Sequence, residues 1–254
     1  MVLTIDIGNT NIVLGAFYGD ELKFVSRIST DVKKTEDEYA IQIRSILSIH
    51  AVAPESVNGA IISSVVPVLN NVFKKAVKLV YGIEPLMVGP GIKTGINIHC
   101  DNPASVGADL ICACVGAHHI YGSPSLVIDM GTATKILLMD KDGAFCGASI
   151  IPGVYMGLKT LSSGTAQLPQ ISLEAPKSVI GKNTADCMKS GVVFGNAALL
   201  DGMIDRFNHD FGEELPVYAT GGHAATIINY CRHKITLDED LILKGLNILY
   251  KKNK

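Results

Sequence analysis

Two apolar runs flank a short polar turn in the stretch Leu3-Thr4-Ile5-Asp6-Ile7-Gly8-Asn9-Thr10-Asn11-Ile12-Val13-Leu14-Gly15. The first run ends on a lone carboxylate, Asp6, which is costly to bury unless a cation or a hydrogen-bond donor pairs with it. Gly8 permits a close approach of the backbone to a ligand, and the three polar residues after it supply short hydrogen-bonding groups. Two interpretations are open on this stretch alone: an ordinary β-hairpin with a polar tip, or a turn that binds phosphate groups carried by a hydrated cation.

The same pattern occurs again near the start of the second half of the chain, in the stretch Ser125-Leu126-Val127-Ile128-Asp129-Met130-Gly131-Thr132-Ala133-Thr134. Asp129 lines up with Asp6, and Gly131 lines up with Gly8. An apolar strand, a Gly/Asp turn and a third strand follow each copy, which indicates the duplication of one folding unit. We therefore predict two facing hairpins, each with an aspartate at its strand end, that clamp a divalent metal and phosphate groups between two domains.

The composition indicates a globular protein with a substantial core. The chain has 254 residues, of which 48% are apolar, and this length suits one large domain or two of roughly 100–150 residues. A net charge of −2 and the lack of a dense Lys/Arg block argue against nucleic acid as a partner. No apolar run reaches the roughly 20 residues that a membrane span needs. We expect no signal peptide, because the chain enters a strand at once.

The cysteines are scattered along the chain, at positions 100, 112, 114, 146, 187 and 231. None of them forms a CxxC pair, which favours free thiols in a reducing cytoplasm over zinc ligands or disulfides. The pair His118-His119 lies near a predicted helix end, and we interpret it as half-exposed rather than as a metal site.

Both halves of the chain predict the element order β-β-β-α-β-α, a mixed sheet with helices against it. We therefore predict an α/β protein of two related domains, residues 1–120 and 121–254, each with flanking helices and a mixed sheet of the five-stranded type, of which this order accounts for four strands. Thr35 and Glu38 indicate a capping box at the start of the first helix. Further helices are predicted over 69–81, from Asn102-Pro103 to about 121, over 185–207 and from Asp238 to 252.

Asp109 is a candidate general base in the first turns of the third predicted helix. It lies in a segment of otherwise apolar and small residues, and Gly107 and Ala108 would let a substrate approach closely. The alternative is an acidic residue that stabilises the helix dipole, which is common near a helix start. The hairpins on either side favour the catalytic interpretation.

Two later segments also suggest ligand contacts. Residues 161–180 have little regular pattern and include Pro169 and Pro176, which is typical of an active-site or interface loop. The segment from Pro216 to Ala224 indicates strand, Gly-Gly turn and helix. Gly221 and Gly222 in that turn would bring backbone against a flat ligand such as adenine, although a Gly-Gly turn is weakly specific.

The two aspartate-bearing hairpins and the late Gly-Gly turn resemble those of the actin-like (ribonuclease H-like) ATPase and sugar-kinase superfamily. More narrowly, the whole chain resembles the type III pantothenate kinases. The motifs that carry this resemblance are spread over nearly the full length: Asp6 to Asn11, Ser29 to Asp31, Ser63 to Pro67, Asp101 to Pro103, Gly107 to Asp109, Asp129 to Thr134, Pro176 to Thr184 and Ala219 to Gly222.

The resemblance implies a cytoplasmic homodimer of two actin-like domains that transfers the γ-phosphoryl group of ATP to the hydroxyl of pantothenate, the first step of coenzyme A synthesis. It implies Asp109 as the proton acceptor, Asp6 near Mg²⁺ and Asp129 as ligand of a monovalent cation, K⁺ or NH₄⁺. The residues implied in ATP binding are Asp6, Ile7, Gly8, Asn9, Thr10, Asn11, Ile12, Val13, Thr132, Gly221 and Gly222. The residues implied in acceptor binding are Cys100, Gly107, Ala108, Asp109, Leu110 and Thr184.

The chain departs from the family pattern mainly on the acceptor side. Leu110 stands where the family has arginine, Cys100 where it usually has tyrosine, and Gly164 where it has a second arginine in Ser-Arg-Thr-Ala. The family's Gly-Thr-Ala-Thr-Thr reads Gly131-Thr132-Ala133-Thr134-Lys135 here. A charge-assisted hydrogen bond contributes about 1.5–3 kcal/mol, so losing such groups would weaken binding of an anionic acceptor. Lys135 either returns a cation to the site or points to solvent.

Three functions are therefore compared. The first is an ATP-dependent kinase that acts on pantothenate or a close relative. The second is a paralogue that binds nucleotide but has lost or altered its acceptor specificity. The third, an actin-like ATPase or phosphatase, fits less well, because Asp109 and the Asn-Thr context of the first turn fit the kinase better.

Overall fold

A computed structural model describes residues 1–164 and 168–254 of the chain. They divide into two compact units. Unit 1 comprises Met1–Asn97, Asp101–Ile120 and Asp240–Lys254, and unit 2 comprises Ile98–Cys100 and Tyr121–Glu239.

Ten strands, seven α-helices and two short 3-10 helices, Pro54–Ser56 and Pro103–Ser105, account for the regular structure of the described residues. The strands are β1 (Val2–Ile7), β2 (Asn11–Tyr18), β3 (Glu21–Ser29), β4 (Gly59–Ser64), β5 (Leu86–Met87), β6 (Ser125–Met130), β7 (Ala133–Met139), β8 (Phe145–Pro152), β9 (Val217–Thr220) and β10 (Ile235–Leu237). The helices are α1 (Glu36–Ile49), α2 (Pro67–Tyr81), α3 (Ala108–Tyr121), α4 (Val154–Ser163), α5 (Thr184–Phe211), α6 (Ala224–Ile228) and α7 (Leu241–Lys252). None of the helices is long and apolar enough to cross a membrane, within the residues that the structure describes.

Both units contain a mixed five-stranded sheet with the same topology. The strand order is β3-β2-β1-β4-β5 in unit 1 and β8-β7-β6-β9-β10 in unit 2. In each sheet the first three strands run antiparallel, and the last two run parallel to the central strand. The predicted duplication of one folding unit and the predicted mixed sheets are thereby confirmed.

The central strand of unit 1 is covered on both faces. Leu3, Ile5 and Ile7 are fully buried in the core that α1 and α2 help to form. Side chains alternate between the faces of a strand, so Thr4 and Asp6 lie on the opposite face. That face is covered by α7, which contacts β1, β2 and β4. Asp6 therefore lies at the edge of a packed layer, where the strand ends.

Helix α3 is held by close packing against α7. Residues Asp109 to Ala117 are all buried, so this helix is covered nearly all round. A Cβ at Gly116 would lie 2.7 Å from the carbonyl oxygen of Leu241, and a Cβ at Gly245 would overlap the carbonyl oxygen of Cys112. The two glycines let the helix backbones touch, and this contact fixes the start of α3, where Asp109 lies.

Several boundaries differ from those predicted. The turn at Pro103–Ser105 is a separate 3-10 helix, and α3 begins only at Ala108. Helix α4, which the sequence did not predict, follows β8 directly. Residues 240–254 group with unit 1, whereas the predicted division placed them in the second domain, because α7 packs on the first sheet. The capping box of α1 is confirmed: the Thr35 side chain accepts from the Glu38 amide, and Glu38 accepts from the Thr35 amide.

We predict that Gly245→Ala destabilises the protein and lowers its melting temperature. The new methyl group would overlap the backbone of Cys112. Overpacking of a core lowers the free energy of unfolding by about 1–3 kcal/mol. The change is measured by calorimetry or urea denaturation.

Gly195→Ala is the matched control, since this glycine is exposed within α5 and a Cβ there would meet nothing within 4 Å. It should stabilise the protein by up to about 1 kcal/mol, the helix propensity difference. Equal effects of the two substitutions would contradict the proposed α3–α7 contact.

Candidate active site

The turn between β1 and β2 is braced from the end of β3. The Gly8 amide donates to the Asn11 carbonyl at 3.0 Å, which closes the turn. The Thr30 hydroxyl donates to the Gly8 carbonyl at 2.6 Å, and the Thr30 amide donates to the Thr10 carbonyl at 3.0 Å. Asn9, Thr10 and Asn11 are exposed. The turn is therefore fixed in position while its polar tip faces solvent.

Gly8 is required by the close approach of the backbone in this turn. A Cβ on Gly8 would lie 2.9 Å from the carbonyl oxygen of Asn11, a distance that would force the turn to shift. Ile7 and Ile12, the predicted neighbours of the turn, are fully buried, and Val13 is half-buried. The two isoleucines anchor the turn in the core, so only the polar residues between them can meet a ligand with their side chains.

Asp6 and Asp109 come from different elements, and both charges act on the same buried thiol. Asp6 is the last but one residue of β1, Asp109 is the second residue of α3, and Cys112 lies one turn further along α3. Burial and then the negative charges of Asp6 and Asp109 raise the pKa of the Cys112 thiol well above its ordinary value. The thiol is therefore protonated and uncharged.

The surroundings of Asp109 are unlike those of an ordinary acidic residue at a helix start. Its side chain is only 8% exposed, and burying a carboxylate is costly. Its Oδ1 accepts a hydrogen bond from the Leu110 amide at 2.9 Å. A Cβ on Gly107 would lie 2.6 Å from that oxygen, so the glycine leaves the room that the carboxylate needs.

The second hairpin places a lysine on its aspartate. Asp129 in β6 and Lys135 in β7 are direct cross-strand partners, and the Lys135 Nζ lies 2.7 Å from the Asp129 Oδ2. The side chains are 7% and 18% exposed, respectively. Lys135 therefore does not point to solvent, and the pair is well shielded from water. In unit 2 the carboxylate at the strand end is matched by a positive charge of the chain itself.

Two further loops of unit 2 pack against the turn of the second hairpin. A Cβ on Gly153, at the start of α4, would overlap the carbonyl oxygen of Thr132. Gly221 adopts a left-handed conformation with φ of 96°, and a Cβ there would lie 2.6–2.7 Å from the backbone of Met130. Thr132 and Gly222 are exposed. The predicted nucleotide residues of unit 2 thus gather at the end of β6, with Gly153 as a supporting residue that the sequence did not suggest.

An aromatic pair lies beside the Gly-Gly turn. The rings of Tyr155 and His223 are nearly parallel, with an interplanar angle of 8° and centroids 6.2 Å apart. Tyr155 is 59% exposed. The turn therefore combines closely packed backbone with flat side chains, and adenine binding there stays a prediction.

The predicted acceptor residues are divided between the two units. In unit 1, Gly107 and Ala108 are half-buried, while Leu110 is 9% exposed. In unit 2, Cys100 is half-buried, and Thr184 is exposed as the first residue of α5, after the N-cap Asn183.

The family motif at the end of α4 falls partly outside the described residues. Gly164 is the C-cap residue of α4. Thr165 and Ala166, the rest of the Ser-Gly-Thr-Ala motif, lie outside the described part of the chain.

The donor groups fit a divalent cation at Asp6 but not a monovalent cation at Asp129. Mg²⁺ prefers oxygen ligands and is usually held by one or two carboxylates together with substrate phosphates, and Asp6 offers a partly accessible carboxylate beside the turn. At Asp129 an ammonium group already contacts the carboxylate. Two unit positive charges about 4 Å apart repel by about 4 kcal/mol at an effective dielectric constant of about 20. The expectation that Asp129 binds K⁺ or NH₄⁺ therefore does not fit this pair.

A further group with metal-ligand chemistry lies at the turn between β7 and β8. His99, Asp140 and Cys146 place their ligand atoms within 4.8 Å of one another, and they are the one such group among the described residues. Asp140 accepts from the amides of Asp142 and Ala144 at 3.0 and 2.8 Å, which is ordinary turn geometry.

The six cysteines are all free, as predicted.

Two sequence comparisons with known proteins match most or all of this chain. A family model described as type III pantothenate kinase matches residues 2–206. A type III pantothenate kinase of Brevibacillus brevis is 41% identical over 253 residues, which cover 100% of this chain and 99% of that protein.

Two solved structures resemble the whole chain at low identity. A protein described as a Baf family transcriptional activator from Campylobacter jejuni has a TM-score of 0.62 at 21% identity, covering 99% of this chain and 98% of that chain. A protein described as a 2-dehydro-3-deoxygalactonokinase from Sinorhizobium meliloti has a TM-score of 0.62 at 13% identity, covering 99% and 96%. These likenesses concern the fold alone. It is the fold of the actin-like ATPases and sugar kinases, which the two aspartate-bearing hairpins predicted.

The family match covers the first sheet, strands β6 to β8 of the second sheet, the two aspartate-bearing hairpins and the start of α3. Taken with the full-length identity to the Brevibacillus protein, it shows that the chain belongs to the type III pantothenate kinase family.

Proposed function

We propose that this protein transfers the γ-phosphoryl group of ATP to the hydroxyl of pantothenate, with Asp109 as the general base. The observation that carries the proposal is the buried Asp109 carboxylate, which the Leu110 amide orients and for which Gly107 leaves room, in the same unit as the exposed and braced turn of the first hairpin. Phosphoryl transfer needs charge neutralisation and positioning more than covalent chemistry. One carboxylate near a metal and a second one near the attacking hydroxyl would meet both needs.

Residues 6–13 would hold the phosphate groups of ATP. The tip of the turn is exposed, and its backbone is fixed by Thr30 and Gly8. A preorganised turn loses little conformational entropy when it binds a ligand. Thr132, Gly221 and Gly222 would assist from unit 2, with the two glycines toward the adenine.

Asp109 would accept the proton of the attacking hydroxyl. The hydroxyl oxygen bonds to the γ-phosphorus while the bond from that phosphorus to the β–γ bridging oxygen breaks. ADP leaves with the electron pair of that bond, and the hydroxyl proton passes to the Asp109 carboxylate. The hydrogen bond from the Leu110 amide to Oδ1 would hold the carboxylate in orientation.

Mg²⁺ would bind near Asp6 and neutralise charge on the phosphates. Because Lys135 pairs with Asp129, the proposal assigns no step to a monovalent cation.

Acceptor binding would involve Gly107, Ala108, Leu110, Cys100 and Thr184. Leu110 is an almost buried apolar side chain, so the charge that arginine supplies at this position in the family would have to come from elsewhere. The proposal includes the homodimer and the cytoplasmic location that the family resemblance implies.

Asp109→Asn should lower kcat by about 10²–10⁴-fold, the usual contribution of a general base. The amide keeps the shape of the side chain but does not accept the proton. ATP affinity should change little, because the proposal gives Asp109 no role in nucleotide binding. The measurement is phosphopantothenate formation at saturating ATP and pantothenate, with ATP binding followed by calorimetry.

The matched control is Asp37→Asn, an exposed acidic residue in the first turn of α1. It shares the helix-dipole role with Asp109 but lies in no part of the proposed site, so its activity should equal that of the wild type. Full activity of Asp109→Asn would rule out Asp109 as the base.

Gly8→Ala should raise the Kd for ATP by about tenfold or more, equivalent to about 1.4 kcal/mol. The added methyl group meets the Asn11 carbonyl oxygen at 2.9 Å and displaces the turn. Thr30→Val removes the hydrogen bond to the Gly8 carbonyl and should weaken the binding free energy of ATP by about 1 kcal/mol. Both are measured by calorimetric titration with a non-hydrolysable ATP analogue.

Gly89→Ala is the control for this pair, because a Cβ at Gly89 would meet nothing within 4 Å. Its affinity should match that of the wild type. Unchanged affinity in Gly8→Ala would contradict the assignment of this turn to the phosphates.

Asp6→Asn should raise the Mg²⁺ concentration required for half-maximal activity by about tenfold or more, since the charge-assisted contact contributes about 1.5–3 kcal/mol. The wild type should lose its activity when EDTA removes the metal and regain it when Mg²⁺ is returned. The assay is initial rate against free Mg²⁺ at fixed ATP. The control is Asp20→Asn, which changes an exposed carboxylate of the same unit and should leave the dependence of the rate on Mg²⁺ as in the wild type. If Asp6→Asn also shows the wild-type dependence on Mg²⁺, Asp6 is not part of the metal site.

A further inference from the structure

Lys135 is the one residue of the two hairpins that breaks their equivalence in charge. By register Asp6 pairs with Val13 across β1 and β2, and Asp129 pairs with Lys135 across β6 and β7. The turn of the second hairpin is one residue shorter than that of the first. Val13 and Lys135 therefore occupy equivalent positions in the two sheets, although Val13 lies seven residues after its aspartate and Lys135 lies six residues after its own. The first sheet folds with an apolar residue at this position. A lysine is therefore not a requirement of the sheet itself.

The ion pair is built into the site and not a surface contact. Asp129 is 5% exposed and the Lys135 side chain is 18% exposed. Ion pairs that are exposed to solvent contribute little to stability. The Lys135–Asp129 pair is shielded from water, and its 2.7 Å separation is that of a charge-assisted hydrogen bond. The long side chain of Lys135 is thus held with its charge at the end of β6, beside the turn formed by Gly131 and Thr132.

We infer that the Lys135 ammonium takes the place of a dissociable monovalent cation, so that the activity of this protein does not depend on K⁺ or NH₄⁺. This inference rests on the proposed function for its kinetic test, but not for its binding test. A lysine side chain ends in an ammonium, a compact charge with three N–H donors. It carries the same charge as the free ion, and its tether to β7 removes the need to recruit one.

The site also excludes a second cation. A monovalent ion at the Asp129 carboxylate would lie next to the Lys135 ammonium, and like charges at that separation repel strongly in a water-poor site. Lys135 thus supplies a positive charge to the Asp129 carboxylate and also prevents a free cation from binding there. Lys135 is therefore a positioning residue whose charge is fixed in place.

The kinetic test compares the wild type with Lys135→Thr in potassium, ammonium or choline chloride at constant ionic strength. Threonine is the residue that the family pattern has at this position. The wild type should show the same rate in all three salts. Lys135→Thr should lose about 10²-fold or more in choline, and saturating K⁺ or NH₄⁺ should restore most of the loss.

Lys141→Thr is the matched control, since Lys141 lies in the turn after β7 and is 67% exposed. It carries the same substitution outside the site, and its rate should match that of the wild type in every salt. A wild type that K⁺ stimulates severalfold over choline overturns the inference. A folded Lys135→Thr that is fully active without K⁺ also overturns it, because Lys135 would then be only a structural ion pair.

The binding test does not require turnover. Added K⁺ should raise the melting temperature of Lys135→Thr by about 2–4 °C relative to choline, as expected for a bound ion that stabilises the folded state by about 1 kcal/mol. It should leave the wild type and Lys141→Thr unchanged. A K⁺-specific shift in the wild type overturns the inference even if Lys135→Thr does not fold.

The two proposals fail in different ways. If the wild type forms no phosphopantothenate in any salt, the proposed function fails, and the melting experiment still decides the role of Lys135. If phosphopantothenate forms only with K⁺, the kinase assignment stands and the inference on Lys135 falls.

Discussion

An aspartate at the end of the central strand is the constraint that both sheets share. A carboxylate in such apolar surroundings must be balanced by charge or by hydrogen bonds, and the two units balance it differently. Unit 1 leaves Asp6 partly accessible beside a solvent-facing turn, with Asp109 nearby. Unit 2 closes a lysine onto Asp129. One folding unit, used twice, thus leaves the carboxylate partly accessible in one copy and pairs it with a lysine in the other.

The local features of this arrangement could be predicted from the sequence. Strand, turn and strand are contiguous in each hairpin, so periodicity and turn residues are sufficient to place Asp6 and Asp129 at strand ends. The capping box at Thr35 is equally local. The repeat of the pattern then predicted the shared topology of the two sheets, because similar segments in the same order fold into similar units. Comparison with the family supplied the substrate, which no pattern of apolar and polar residues encodes.

What the sequence did not indicate depends on residues far apart in the chain or on register. The bracing of the first turn by Thr30 joins residues about twenty positions apart. The pairing of Lys135 with Asp129 follows only from the register of β6 and β7, which a turn one residue shorter shifts relative to the first hairpin. The assignment of α7 to the first sheet requires contacts between opposite ends of the chain. Propensity and periodicity carry no information about such contacts.

The distribution of unit 1 along the chain has a consequence for biosynthesis. Its last element, α7, covers β1, β2 and β4 but is translated after every residue of unit 2. Unit 2 is nearly continuous and can fold as soon as it leaves the ribosome, since domains generally fold as units during synthesis. The first sheet, although made first, must wait with one face uncovered until the final helix emerges. The first sheet is therefore completed late, although its strands are translated first.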